Sequence, residues 1–186
     1  MFTNLKLKYK LLLAFTLTAL FTTGIGLFAL FQIQKIHVAV DDIANNALPS
    51  VEITNIASTQ IDMVRRLESQ AVITTLAKNS KETASLIERI GTSKKVALEY
   101  IEKYVPYVSD AEDKANLDAL RTSTISYFAE DDKVIKTLQE SGDTLDIATA
   151  SELIFGPARP PYKASQVAIE KMNKYNHDSA ARDEAS

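Results

Sequence analysis

The stretch Leu48–Gln70, LPSVEITNIASTQIDMVRRLESQ, decides how the chain folds. Ile53, Ile56, Ile61, Val64 and Leu67 recur near one side of a helix, at about 100° per residue, and the alternation of a strand is absent. The same stripe runs upstream through Ile33, Ile36, Val40, Ile43 and Ala47 and downstream through Ala71 and Leu76. Pro49 is its one breaker. Lacking a donor and clashing with the preceding turn, it should bend the helix or break one hydrogen bond. Within the stretch Arg65 and Arg66 stand side by side. Two neighbours turned about 100° apart cannot both point away from a bundle as easily as one can.

Upstream, Leu11 to Ile33 reads LLLAFTLTALFTTGIGLFALFQI, with no charged residue. A membrane-spanning helix needs about 20 apolar residues, so this segment can cross a bilayer. A cleavable signal peptide has a shorter apolar core, about 7 to 15 residues, ending at small residues, and fits less well. Lys6, Lys8 and Lys10 flank the amino end. By the positive-inside rule residues 1–10 are cytoplasmic, 11–33 span the membrane, and 34–186 lie outside, in a bacterium the periplasm beyond the inner membrane. Charge agrees with this division. Only those three lysines precede residue 34, whereas all 24 acidic residues follow it.

Downstream, local signals divide the chain into further helices. Asn79 stands three before Glu82, a capping-box spacing. Ser109 and Glu112 repeat it after Pro106, and Gly142 supplies a stop after which Asp143 or Thr144 can cap a fourth helix. The predicted helices are about 34–78, 80–108, 110–141 and 143–186. At ~1.5 Å per residue the first and last approach 65 Å and the middle two about 45 Å. Short connections make successive helices antiparallel. The fold class is therefore all-α, a transmembrane helix continuing into an antiparallel up-down four-helix bundle. Its last helix points back at the bilayer, and a second span just past Ser186 is expected.

Composition agrees. Glycine (5) and proline (5) are scarce, and with no cysteine neither a disulfide framework nor a thiolate metal site can form. A net-acidic outer part argues against nucleic acid, which needs a basic patch. No glycine-rich phosphate loop follows a strand, so nothing supports an enzyme or a bound cofactor. His37 and His177 lack metal-ligand spacing and read as solvated, with no metal site. The runs Glu130-Asp131-Asp132 and Asp110 to Asp113 read as exposed caps or faces.

The basic start, the apolar span, the stretch quoted first and YKASQVAIEKMNKYNHDSAARDEA on the last helix together resemble the four-helix-bundle sensor region of methyl-accepting chemotaxis proteins. The resemblance covers essentially the whole chain. It implies a homodimer, a second span, a linker module and a long cytoplasmic coiled coil controlling a histidine kinase. Any contact with that kinase complex would run through parts outside this sequence.

Geometry then assigns a candidate site. Arg65 and Arg66 lie about 14 residues below the outer tip, and the same count from the opposite tip reaches Tyr127 and Gly156-Pro157, with Arg159 and Tyr162 just beyond and Arg121 and Thr124 further down the third helix. These levels span on the order of 10 Å, within reach of long side chains meeting on one small molecule. FGPARPPY, with its prolines Pro157, Pro160 and Pro161, can free carbonyls or widen the helix spacing and so form a pocket wall. Guanidinium groups suit carboxylates because their fork gives two parallel charge-assisted bonds. The resemblance implies that an arginine of the first outer helix, Arg65 or Arg66, meets the ligand's acid group. The competing reading pairs Arg65 with Glu68 or Asp62 on its own helix. The expected function is a chemoreceptor sensor for a small anion, an organic acid or amino acid, whose binding displaces the last helix relative to the first. The alternative is a membrane-anchored helical interaction module or the sensor of another transmembrane kinase.

Overall fold

A computed structural model describes residues 6–185; residues 1–5 and Ser186 lie outside the described residues. The first outer helix is continuous with the apolar one. α1 (Leu7–Asp42) passes through a single π-helical turn, Ile43–Ala47, into α2 (Leu48–Leu76). The turn accounts for Pro49. Proline sits in the first turn of α2, and the wider coil just before it accommodates the ring and the missing donor without ending the helix.

α2 ends where Lys78 takes a left-handed conformation, φ 57°. Asn79 N–H then bonds the Thr74 carbonyl and Lys78 N–H that of Thr75, a Schellman closure with lysine where glycine is usual. The Asn79 side chain turns to the next helix and accepts from Glu82 N–H at 3.2 Å, so one residue closes α2 and opens α3 (Ser80–Lys103). α3 stops at Lys103 rather than 108. Pro106 holds Val105–Tyr107 in a 3-10 turn, and the residue before a proline is driven from the α region.

α4 (Ala111–Ser141) is capped by Asp110, not Ser109. The Asp110 carboxylate accepts from Glu112 and Asp113 N–H at 2.8 and 2.9 Å, while Ser109 N–H goes to the Asp113 carboxylate. After Gly142, φ 47°, and a 3-10 turn, Asp146 rather than Asp143 or Thr144 caps the next helix, accepting from Thr149 N–H at 2.7 Å. The last rod is broken in two: α5 (Ile147–Phe155) and α6 (Arg159–Ala185). A Cβ on Gly156 would lie 2.3 Å from the Glu152 carbonyl oxygen, so the break is built around glycine. Pro160 and Pro161 fall in the first turn of α6, where helical N–H groups have no partner to lose.

The rods form an antiparallel bundle in which α2 lies along α3, α4 along α6, and α2 also meets α4, α5 and α6. Ile61, Val64, Leu67 and Ala71 of the α2 stripe are buried, with Ile90, Ile101, Leu120, Leu138 and Met172 from the other rods. Each large side chain so buried stabilises the bundle by about 1.5–3 kcal/mol. Upstream the stripe changes character: Ile33, Ile36 and Val40 are exposed, because α1 runs beyond the bundle. α1 is long and apolar enough to cross a membrane. Near its junction with the bundle the Tyr104 hydroxyl lies buried, 2.9 Å from Asp113 and 2.8 Å from Asn176.

Candidate functional site

The two arginines do different jobs because one helical step separates them. Val64, Leu67 and Glu68 face the interior, which turns Arg65 to the seam between α2 and the broken rod and Arg66 to solvent. The Arg65 guanidinium donates to Glu68 and to the backbone carbonyl of Ile154, and it lies 5.9 Å from the centre of the Tyr162 ring. Ile154 is in the last turn of α5, where carbonyls lack helical donors and carry the negative end of the dipole. Arg65 therefore caps α5 from a neighbouring rod. Arg66 meets the Met63 sulfur at 3.8 Å and makes no ion pair among the described residues.

In front of Arg65 lies an open recess of about 420 Å3, lined by Thr59, Asp62, Arg65, Arg66 and Tyr162. Its floor is braced. The Tyr162 hydroxyl and Gln166 amide of α6 both donate to Asp62 of α2, at 2.9 and 2.7 Å. Burial first, and then the Asp62 carboxylate beside it, pushes the Tyr162 hydroxyl up to about 12. Tyr162 therefore stays a donor through the neutral range.

Behind the recess is a cluster of buried charge. Glu68 is wholly buried and accepts from the Tyr127 hydroxyl at 3.2 Å. Asp131 of α4, also wholly buried, is a neighbour of Glu68, and Lys94 Nζ of α3 lies 2.6 Å from one Asp131 oxygen. Lys94 also reaches Asp132 at 2.6 Å and donates to the Phe128 carbonyl at 3.2 Å. Burial, and then the neighbouring Asp131, pushes Glu68 up to about 8, against the opposing pull of Arg65 and Tyr127. Burial raises Asp131 too, opposed by Lys94.

Of the residues singled out from sequence, the structure brings Arg65, Arg66 and Tyr162 to the recess and stacks Tyr127 behind them, its ring 5.4 Å from that of Tyr162. Three others fall elsewhere. Arg121 sits on the α3 side of α4, where Glu102 engages it through two hydrogen bonds of 2.8 and 2.9 Å. Thr124 is wholly buried, with its hydroxyl unpartnered. Arg159 is exposed at the start of α6, over the Phe155 ring. Counting residues from the tips set the heights but not the rotation about each rod.

Glu68, Lys94, Asp131 and Asp62 were not singled out as site residues, and the reading of Asp131 and Asp113 as exposed gives way: both are wholly buried. The signal was present. Asp131 continues the spacing Leu120, Thr124, Tyr127, Asp131, Val134, Leu138, and Glu68 falls beside Val64, Leu67, Ala71 and Val72, both inside buried stripes. His37 and His177 are exposed, each beside an aspartate.

Residues 4–186 match the family model described as a four helix bundle sensory module for signal transduction. Comparison with curated proteins and with solved structures finds no match.

Proposed function

Since the chain belongs to the four-helix-bundle sensory modules of methyl-accepting chemotaxis proteins, whose role is signalling and not catalysis, we propose that it senses a small anionic metabolite, an organic acid or amino acid, in the recess between α2 and α6. The observation that carries this is Arg66: a guanidinium with no acid partner among the described residues, beside a tyrosine hydroxyl on the opposite rod. A carboxylate on Arg66 gains two parallel charge-assisted bonds, and Tyr162 adds contact from α6. Arg65 behind them contributes field while remaining bound to Glu68 and Ile154. Arg121, engaged by Glu102, has no part in this site.

A ligand touching both α2 and α6 biases their relative position only by its differential affinity for the two arrangements. α2 continues through the π-helical turn into α1, and α6 runs back toward the same end, so a shift between them is delivered where α1 leaves the bundle. A membrane span over α1 is supported by its uncovered apolar side chains and by Thr16, Thr18, Thr22 and Thr23, whose hydroxyls each bond a carbonyl one turn back and so bring no unmet polar group into lipid. Sensing from the periplasmic side, as a homodimer, completes this reading.

The test is a thermal-shift screen of the 186-residue chain against mono- and dicarboxylates and amino acids. At least one compound raises the midpoint, and Arg66→Ala removes the shift. A shift that survives in both Arg66→Ala and Tyr162→Phe excludes the recess as the site.

A further inference from the structure

We propose that Glu68 and Asp131 hold one proton between them inside the bundle, and that releasing it forces α2 and α4 apart, making the module responsive to proton concentration. The groups concerned come from every rod packed around the pair: Arg65 on α2, Lys94 on α3, Tyr127 and Asp132 on α4, and Tyr162 on α6 behind Tyr127.

Three features of the geometry require the proton. First, Glu68 and Asp131 are wholly buried neighbours on facing helices, and two ionised carboxylates are both acceptors, so they can hydrogen-bond to each other only when one carries a proton. Second, neither Asp131 oxygen receives an aligned donor, although Lys94 Nζ is 2.6 Å from one of them; an acid proton on Glu68 is the donor that fits. Third, the cations that face the pair are divided among other acceptors: Arg65 also donates to the Ile154 carbonyl, and Lys94 also reaches the exposed Asp132 and the Phe128 carbonyl. One proton lets the two buried carboxyls share a hydrogen bond, and its loss sets two negative charges side by side where solvent cannot reach. Like charges so placed repel strongly in a low-dielectric interior. The separation falls between α2 and α4 because each carries one carboxyl.

The direction of the pH dependence follows. Below its ordinary value of 4.5 Glu68 is protonated in the folded and the unfolded chain alike. Between there and about 8 only the folded chain keeps the proton, so stability falls as pH rises through that window and levels off above it. Arg66 is not in the cluster, so the proton site stands or falls apart from the anion recess.

The experiment follows thermal unfolding of the full 186-residue chain from pH 5 to 9, for the wild type, Glu68→Gln and Asp131→Asn. The wild-type midpoint is expected to fall steadily to about pH 8, and Glu68→Gln, which keeps a donor facing Asp131 without a titratable proton, to flatten the profile. A flat wild-type profile, or a Glu68→Gln profile that tracks the wild type, overturns the proposal. Infrared difference spectra of the wild type between pH 6 and 9 do not depend on either variant folding: a protonated carboxyl band must vanish, and its absence overturns the shared proton. The chain has no cysteine, so spin labels can be placed singly at exposed Gln70 and Lys133. The label-to-label distance is expected to lengthen from pH 6 to 9, and an unchanged distance overturns the separation of α2 from α4.

Discussion

At the scale of the residue, Arg65 and Arg66 show how little sequence distance is needed to divide structure from recognition. Arg65 compensates a buried acid and caps α5, so Arg65→Ala leaves Glu68 and the Ile154 carbonyl without their charged donor. It should destabilise the chain by about 1.5–3 kcal/mol in urea unfolding. Arg66→Ala should unfold with the wild type, because its guanidinium holds nothing in the bundle together. Equal losses in the two variants would refute this division. The sequence already offered both readings of Arg65, and the pairing with Glu68 is the one its geometry displays. Glu68 at zero exposure follows the same buried stripe, but a glutamate among valine and leucine is read by its charge before its position.

At the scale of the element, the informative places are where helices stop. Asn79 was readable because a cap and its glutamate are three residues apart and need nothing distant. The caps at Asp110 and Asp146 each sit beyond the residues first suggested, since several acceptors crowd each turn and the three-dimensional path of the chain chooses among them. The break at Gly156 was legible as unusual composition but not as two helices. Gly156→Ala should cost about 1–3 kcal/mol, because the new methyl meets a backbone carbonyl that can move only with α5. It should also loosen Arg65, whose second partner is the Ile154 carbonyl, and hydrogen exchange across α5 should rise. Unchanged exchange there would show that the break does not depend on glycine. Asp110→Ala, losing two cap bonds, should cost about 0.5–2 kcal/mol in the same measurement.

At the scale of the whole molecule, the rods are joined by polar groups at two levels as well as by the apolar core: Tyr104, Asp113 and Asn176 near the α1 junction, and the Glu68 cluster nearer the far tip. The pH profile of stability should carry the mark of this arrangement. Asp146, bonded by Thr149 N–H, and Asp118, Asp178 and Glu99, paired with lysines, have lowered values. Their contribution is present above the ordinary carboxylate range and lost as pH falls below it. That acid limb should be shallow, since these groups are exposed and screened. With the opposite slope from Glu68, the unfolding midpoint should peak near pH 5 and decline on both sides, and a profile rising from pH 5 to 8 would contradict it. The four-rod architecture was legible because period and caps are local. The site was legible only in height, because rotation about a rod depends on which neighbour each face meets.

The most direct measurement of the ligand reading is a titration of arginine side-chain Nε–Hε resonances in the isotope-labelled full chain, using the carboxylate that most raises the unfolding midpoint. The Arg66 resonance should move saturably, while that of Arg121, held by Glu102, stays in place. An unmoved Arg66, or a saturable shift at Arg121 instead, would contradict an anion site in the recess between α2 and α6.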